Sequence, residues 1–254
     1  MSTWLSWTES PVAGRRVERV RCLEFDEDDV GVGVADVVAQ MGQPVKGKTE
    51  AGQRREARAR QTRQRIIAAA LQLFLDRGYR ATTVEAIARE ACVAPSTVYQ
   101  AFGTKQVILA AALDATIAGD DEPVAVLDRD WIGHARRQRN PKRQLRLVVA
   151  GACQIAARTA PLKEVLRDAA ATEPAVRPLV GEDHERRRVT QEGLVQLLGE
   201  RRPLRTGLDL RRAVDTFFAV VNSSTYQLLV GHCGWTPVQW QDWLVDLLER
   251  ELFG

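Results

Sequence analysis

The sequence predicts an all-α protein with a small N-terminal helical part and a larger C-terminal one. Three observations predict it. Residues 82–105, TTVEAIAREACVAPSTVYQAFGTK, read as two short helices joined by a tight turn. The segment before them carries Ile66, Ile67, Ala70, Leu71, Phe74 and Leu75 at the i, i+1, i+4, i+5, i+8, i+9 spacing of a core-facing helix. Near the C-terminus, residues 208–231 and 237–252 each carry a broad apolar stripe at helical spacing. Gly119-Asp120-Asp121-Glu122-Pro123 interrupts the pattern and marks a domain boundary. The expected division is an extension over 1–55, a helical head over 56–118 and a helical body over 119–254.

The extension lacks a domain pattern. Its acidic cluster, Glu24 to Asp29, and its Gly- and Lys-bearing stretch QPVKGKTEAGQ suit a poorly ordered segment. Met41 is an expected alternative start, so residues 1–40 are not assigned to the natural protein. Six arginines follow, Arg54, Arg55, Arg58, Arg60, Arg63 and Arg65, with Glu56 the only acid among them. Such a run suits a solvated helix face or, where a nucleic-acid-binding motif follows, an arm that neutralises phosphates or enters a minor groove.

The first helix is expected over 60–77, stopped by Gly78 with Tyr79 packing back. Thr82 is placed to cap the next helix, with Glu85 completing a capping box. Ala91-Cys92-Val93-Ala94 is too short and apolar for a free loop and reads as a turn held on a core. Pro95 suits the first position of the following helix. Val98 and Phe102 give that helix a narrow buried stripe, leaving Ser96, Thr97, Tyr99 and Gln100 on its other faces. Thr104 caps a helix that Lys105 opens. Anchored by two residues and polar elsewhere, the second helix suits a helix-turn-helix, in which it enters the major groove.

In the body, a helix starts at Pro141, another is expected to start at Pro161 and run to about 171, and a third covers about 174–198. Residues 208–231 read as one helix. Thr236-Pro237 starts the last, with Trp240, Trp243, Leu244, Leu247, Leu248 and Leu252 on one face.

Residues 60–117 resemble the DNA-binding domain of the TetR family of bacterial transcriptional regulators. The resemblance rests on Asp76-Arg77-Gly78-Tyr79, Thr82-Thr83, Ile87-Ala88, Ser96-Thr97-Val98-Tyr99 and Phe102-Gly103-Thr104-Lys105. Two positions depart from the pattern: Cys92 stands where the turn usually has Gly, and Ala94 where a Ser or Thr cap is common. The resemblance implies a three-helix DNA-binding head and a helical body for ligand binding and dimerisation. Thr82, Thr83, Tyr99 and Lys105 then fall at or beside phosphate-contacting positions, and Pro95, Ser96, Thr97 and Gln100 on the groove-facing surface. Gln100 is the candidate base reader, because its amide can pair with adenine N6 and N7.

The resemblance further implies a homodimer through the last two helices, a palindromic double-stranded operator and an unknown small-molecule effector that releases a repressor. Where polar atoms interrupt apolar helices, Cys153, Gln154, Asn222 and Tyr226 are candidate ligand-binding residues, with Ser223 and Thr225 beside them. The alternative is a helix-turn-helix protein with a structural or protein-recruiting role and no effector. An enzyme is not expected. The sequence holds no nucleophile–base pair, phosphate loop or metal-ligand spacing, and His134, His184 and His232 are isolated. No cofactor, metal or membrane partner is expected. No apolar run approaches the ~20 residues that span a bilayer. Four scattered cysteines and no secretory signal suit the cytoplasm.

Overall fold

A computed structural model of the chain describes residues 50–119 and 125–254. The expected extension up to residue 49 and the alternative start at Met41 lie outside the described residues. The described elements are all helical. The head comprises α1 (Glu50–Ala81), α2 (Val84–Glu90), α3 (Pro95–Phe102) and α4 (Lys105–Ala118). The body comprises α5 (Asp130–Arg137), α6 (Pro141–Thr172), α7 (Arg177–Gly199), α8 (Leu210–Val220), the short α9 (Ser223–Tyr226) and α10 (Pro237–Leu248). No single helix among the described residues is long and apolar enough to cross a membrane.

Two hydrophobic cores hold these helices. The first joins Ile66, Phe74, Ile87, Val98, Phe102, Ile108 and Leu109 of the head to Leu162, Leu166 and Ala169 of α6. Each large side chain buried here contributes about 1.5–3 kcal/mol. The second core is built from the first half of α6, the second half of α7, and α5, α8 and α10. Trp240, Leu244, Leu248 and Leu252 are all buried in it. The apolar face of the last helix is therefore largely consumed within the chain's own core. Close approach of α5 to α6 depends on Gly151, where a Cβ would lie 2.6 Å from the Trp131 ring.

Three elements differ from the sequence reading. First, α1 begins some ten residues before the expected start, and the arginine run is part of this helix rather than an arm. Its regular path ends at Gly78, whose φ of 76° and ψ of 169° suit glycine alone. Second, Pro161 does not start a helix but lies inside α6. A proline there costs about 3 kcal/mol, and continuing the helix buries Leu162 and Leu166, which offset that cost together. Third, the helix expected over 208–231 breaks at Val221. Asn222 accepts from the Ser224 and Thr225 amides, and the Thr225 hydroxyl donates to Val220 O at 2.7 Å. These side chains replace the backbone ladder and restart the chain as α9.

Candidate DNA-contacting surface and ligand cavity

The head presents α3 by its two anchors. Val98 and Phe102 are buried, while Pro95, Ser96, Tyr99 and Gln100 are exposed and Thr97 is half-buried. Tyr99 is 49% exposed, so core packing does not hold it. Its hydroxyl lies 3.4 Å from Glu85 Oε1 on α2. From the other side, Arg63 of α1 donates to Ala101 O at 2.8 Å and its guanidinium covers the Phe102 ring at 4.0 Å. The last turn of α3 is thus clamped by an arginine that the sequence reading assigned to the basic arm.

The turn between α2 and α3 is a Schellman motif. Val93 N donates to Ala88 O at 2.9 Å and Cys92 N to Arg89 O at 3.2 Å. Cys92 takes the left-handed position at φ 52°, the only non-glycine residue with positive φ among the described residues. Arg65 donates to the carbonyl of Ala91 and, at 3.1 Å, to that of Cys92. Ala94 precedes α3 without a side-chain cap, and Pro95 needs no N–H partner there.

Of the expected DNA contacts, Thr82 is turned inward and Lys105 is half-buried. Thr82 is 0% exposed and its hydroxyl donates to Leu73 O and Gly78 O at 3.1 and 2.8 Å. The cap of α2 is Thr83, whose oxygen accepts from Ala86 N at 3.1 Å, so the expected Thr82–Glu85 box does not form. The register is set one residue later because Thr82 seals the α1–α2 corner. Lys105 donates to Tyr79 O and Thr82 O, both at 2.9 Å, and stands 4.0 Å above the Tyr79 ring. Two of its three N–H groups are therefore spent bracing the start of α4, and burial lowers its pKa. Burial likewise pushes the Tyr79 phenol up to about 12.

In the body, a cavity of about 260 Å³ opens between α4, α6, α7 and the break before α9. Ile117, Ile155 and Leu194 line its apolar side. Its polar wall holds Lys163, Asp183, Arg187, Gln191 and Asn222. Lys163 and Asp183 pair at 3.0 Å, and burial pulls the Lys163 pKa down. Asp114 of α4, also lining the cavity, pairs with Arg186 of α7 at 2.9 Å. Nearby, Arg158 of α6 donates to Thr116 O and Ile117 O at 2.6 and 2.7 Å, capping the end of α4.

Of the candidate ligand residues, Asn222 lines this cavity and Ser223 beside it does too. Cys153 is buried in the second core instead, where burial raises its thiol pKa to about 12. Gln154 is exposed on the outer face of α6. Tyr226 packs edge-on against Trp240 at 5.2 Å. None of the three lines the cavity: α6 turns Ile155, Ala156 and Thr159 towards it in place of Cys153 and Gln154, and Tyr226 is held on Trp240. The sequence reading did not single out Asp183 and Arg187, which stand in the charged stretch 182–188, or Gln191 just beyond it. Their i, i+4, i+8 spacing leads into Leu194 and Val195, and that register was the available signal.

A helix-turn-helix head on an all-helical body defines the class. The sequence model described as "Bacterial regulatory proteins, tetR family" matches residues 66–112. An uncharacterized HTH-type transcriptional regulator of Bacillus subtilis, YvkB, is 44% identical over 54 residues, or 21% of this chain. That match spans only 29% of the relative's length. Among solved structures, the transcriptional regulator FadR of Bacillus subtilis, in complex with stearoyl-CoA, aligns with a TM-score of 0.58 at 20% identity. The alignment covers 73% of this chain and 96% of that one. NalD, the secondary repressor of the MexAB-OprM multidrug efflux pump in Pseudomonas aeruginosa, aligns at 0.55 and 20% identity over 76% and 97% of the two chains. Residues 66–112 thus match the tetR family of bacterial regulatory proteins, and the fold of the described residues is that of these helical regulators.

Proposed function

We propose that the chain is a dimeric transcriptional repressor that a small molecule releases from a palindromic operator. The observation that carries the reading is the junction at α4. This helix braces the DNA-reading head through Lys105 and lines the body cavity through Asp114 and Ile117. A molecule entering the cavity meets the helix that positions α3. It acts by binding one placement of α4 better than the other. FadR of Bacillus subtilis is seen in complex with stearoyl-CoA, and NalD is a repressor; both agree with this reading.

On the head, Gln100 reads a base, Pro95, Ser96 and Thr97 line the groove, and Thr83 and Tyr99 meet phosphates. Arg54, Arg55 and Arg58, exposed along the first turns of α1, add phosphate neutralisation. Dimerisation uses the surface around α9 and α10, where Leu228 and Val238 are 56% and 66% exposed. A two-fold dimer presents two heads to a two-fold site.

The test is gel shift and footprinting on DNA surrounding the protein's own gene, with and without a panel of metabolites and drugs. A protected palindrome released by one compound supports the reading. Protection that no compound relieves removes the effector. No binding to any duplex at low salt removes the DNA reading.

A further inference from the structure

We infer that the effector is an apolar carboxylic acid bearing an N–H or O–H donor close to its carboxylate, with its chain in the body cavity and its acid group at Arg187. This deepens the proposed function and rests on its ligand-binding reading.

The charge arithmetic of the cavity wall carries the acid. Lys163 and Asp183 satisfy one another, as do Arg186 and Asp114. Arg187 has no carboxylate within ion-pair distance among the described residues. It donates only to the Phe218 and Val221 carbonyls, at a long 3.3 and 3.5 Å, and lies 3.6 Å over the Phe218 ring. Asp183 also acts on Arg187 through space, but the three cations of the wall, Lys163, Arg186 and Arg187, face two anions, Asp114 and Asp183, so the wall carries a net positive charge. Arg187 also lies where two cavities meet. It lines the apolar cavity and a second one of about 220 Å³, which shares Lys163, Asp183, Asn222 and Ser223 with the first. A cation is repelled from this wall and a neutral molecule leaves the charge as it was. A carboxylate matches the guanidinium in charge and in planar geometry.

Gln191 sets the requirement for a donor on the ligand. It is 5% exposed and lines the apolar cavity. Its Nε2 donates to Val221 O at 2.8 Å, which fixes the orientation of the amide. Its Oε1 is buried without a hydrogen-bond partner. That oxygen can only accept, so the complementary ligand atom must donate. Gln191 and Arg187 are four residues apart on α7 and stand on one face. Carboxylate and donor are therefore close neighbours in the ligand, as in an N-acyl amino acid or a hydroxy acid.

The experiment is displacement of the uncharged reporter N-phenyl-1-naphthylamine from the full chain. The competitors are N-decanoylglycine, its methyl ester, decyltrimethylammonium and N-decanoylsarcosine, which keeps the acid but lacks the N–H. N-decanoylglycine is expected to displace at about tenfold lower concentration than the ester or the cation. The advantage over the ester should collapse in Arg187→Gln and survive in Arg187→Lys, with thermal unfolding showing that both variants fold. It should also exceed N-decanoylsarcosine in the wild type and match it in Gln191→Met. An ester or cation that competes equally, or an acid preference that survives Arg187→Gln, overturns the acid assignment. Equal glycine and sarcosine compounds in the wild type overturn the donor. If the chain takes up neither the reporter nor any competitor, the effector reading itself fails.

Discussion

The ammonium of Lys163 on α6 lies 3.0 Å from a carboxylate oxygen of Asp183 on α7, with side chains 14% and 7% exposed. Breaking a buried pair from one side strands the other charge and costs about 3–5 kcal/mol. Lys163→Met should lower stability in denaturant unfolding by that order. The double variant Lys163→Met, Asp183→Leu should recover most of the loss, because an apolar pair of similar volume leaves no buried charge behind. A double variant as unstable as the single one would assign the effect to packing.

The same lysine predicts a pH dependence. Burial, partly opposed by Asp183, lowers its pKa in the folded chain below the unfolded value. Between the two values the unfolded chain binds the extra proton. Stability contributed by this group therefore rises with pH through that window, below about 10.4, and is lost as pH falls through the folded value. The difference in unfolding free energy between wild type and Lys163→Met, followed from neutral to alkaline pH, isolates the effect. A constant difference would show that the two states share one pKa.

The turn of the head offers a gain in stability. Cys92 holds the left-handed position of the Schellman turn, where a side chain costs about 1–2 kcal/mol. Glycine removes that cost but adds about 0.4–1 kcal/mol of unfolded-chain entropy. Cys92→Gly should therefore stabilise by about 0.5–1 kcal/mol. Ala94→Ser should add about 1 kcal/mol by supplying the missing cap of α3. The residues are neighbours, so the double variant tests additivity. Denaturant midpoints at unchanged slope are the measure.

The head was legible in the sequence to the level of helix and turn, because short amphipathic helices announce their caps and apolar stripes locally. Cys92 at the turn, Pro95 at the start of α3 and Gly78 at the end of α1's regular path all stand where local rules put them. What was not legible was long-range. Thr82 was read as a cap, and only the fold shows its hydroxyl closing on Leu73 O. Arg63 and Arg65 belong to a basic run in sequence but clamp α3 and its entry turn across 26 to 38 residues. In the body, polar interruptions in 208–231 were read as lining, yet Asn222 and Thr225 mainly break the helix. The charged stretch of α7 becomes a cavity wall only because α4, α6 and the break before α9 close over it, which no local pattern states.

The end of α4 is held from outside itself. Arg158 supplies two charge-assisted hydrogen bonds to Thr116 O and Ile117 O, carbonyls of the last turn of α4. Such bonds contribute about 1.5–3 kcal/mol each. Arg158→Ala should speed amide exchange in the last turn of α4 while the amides of α2 and α3 keep their protection. Uniform loss of protection across the head would instead mean that Arg158 supports global stability.

The DNA-contacting surface separates into two experiments because base reading and charge neutralisation respond differently to salt. Gln100 is exposed on α3, and a side-chain amide paired with adenine discriminates by about 1–3 kcal/mol. Gln100→Ala should weaken operator binding by that amount and relax the preference at one base pair in each half-site. Its dependence of log K on log salt should stay the same, because no phosphate contact is lost. Replacing Arg54, Arg55 and Arg58 with glutamine should weaken binding to all sequences alike. The slope should then flatten by about 0.9 for each phosphate contact removed. Footprint titrations at several salt concentrations, on the operator and on a scrambled duplex, measure both quantities. An unaltered slope in the triple arginine variant would remove the start of α1 from the interface, leaving α3 and the cap of α2 to carry it.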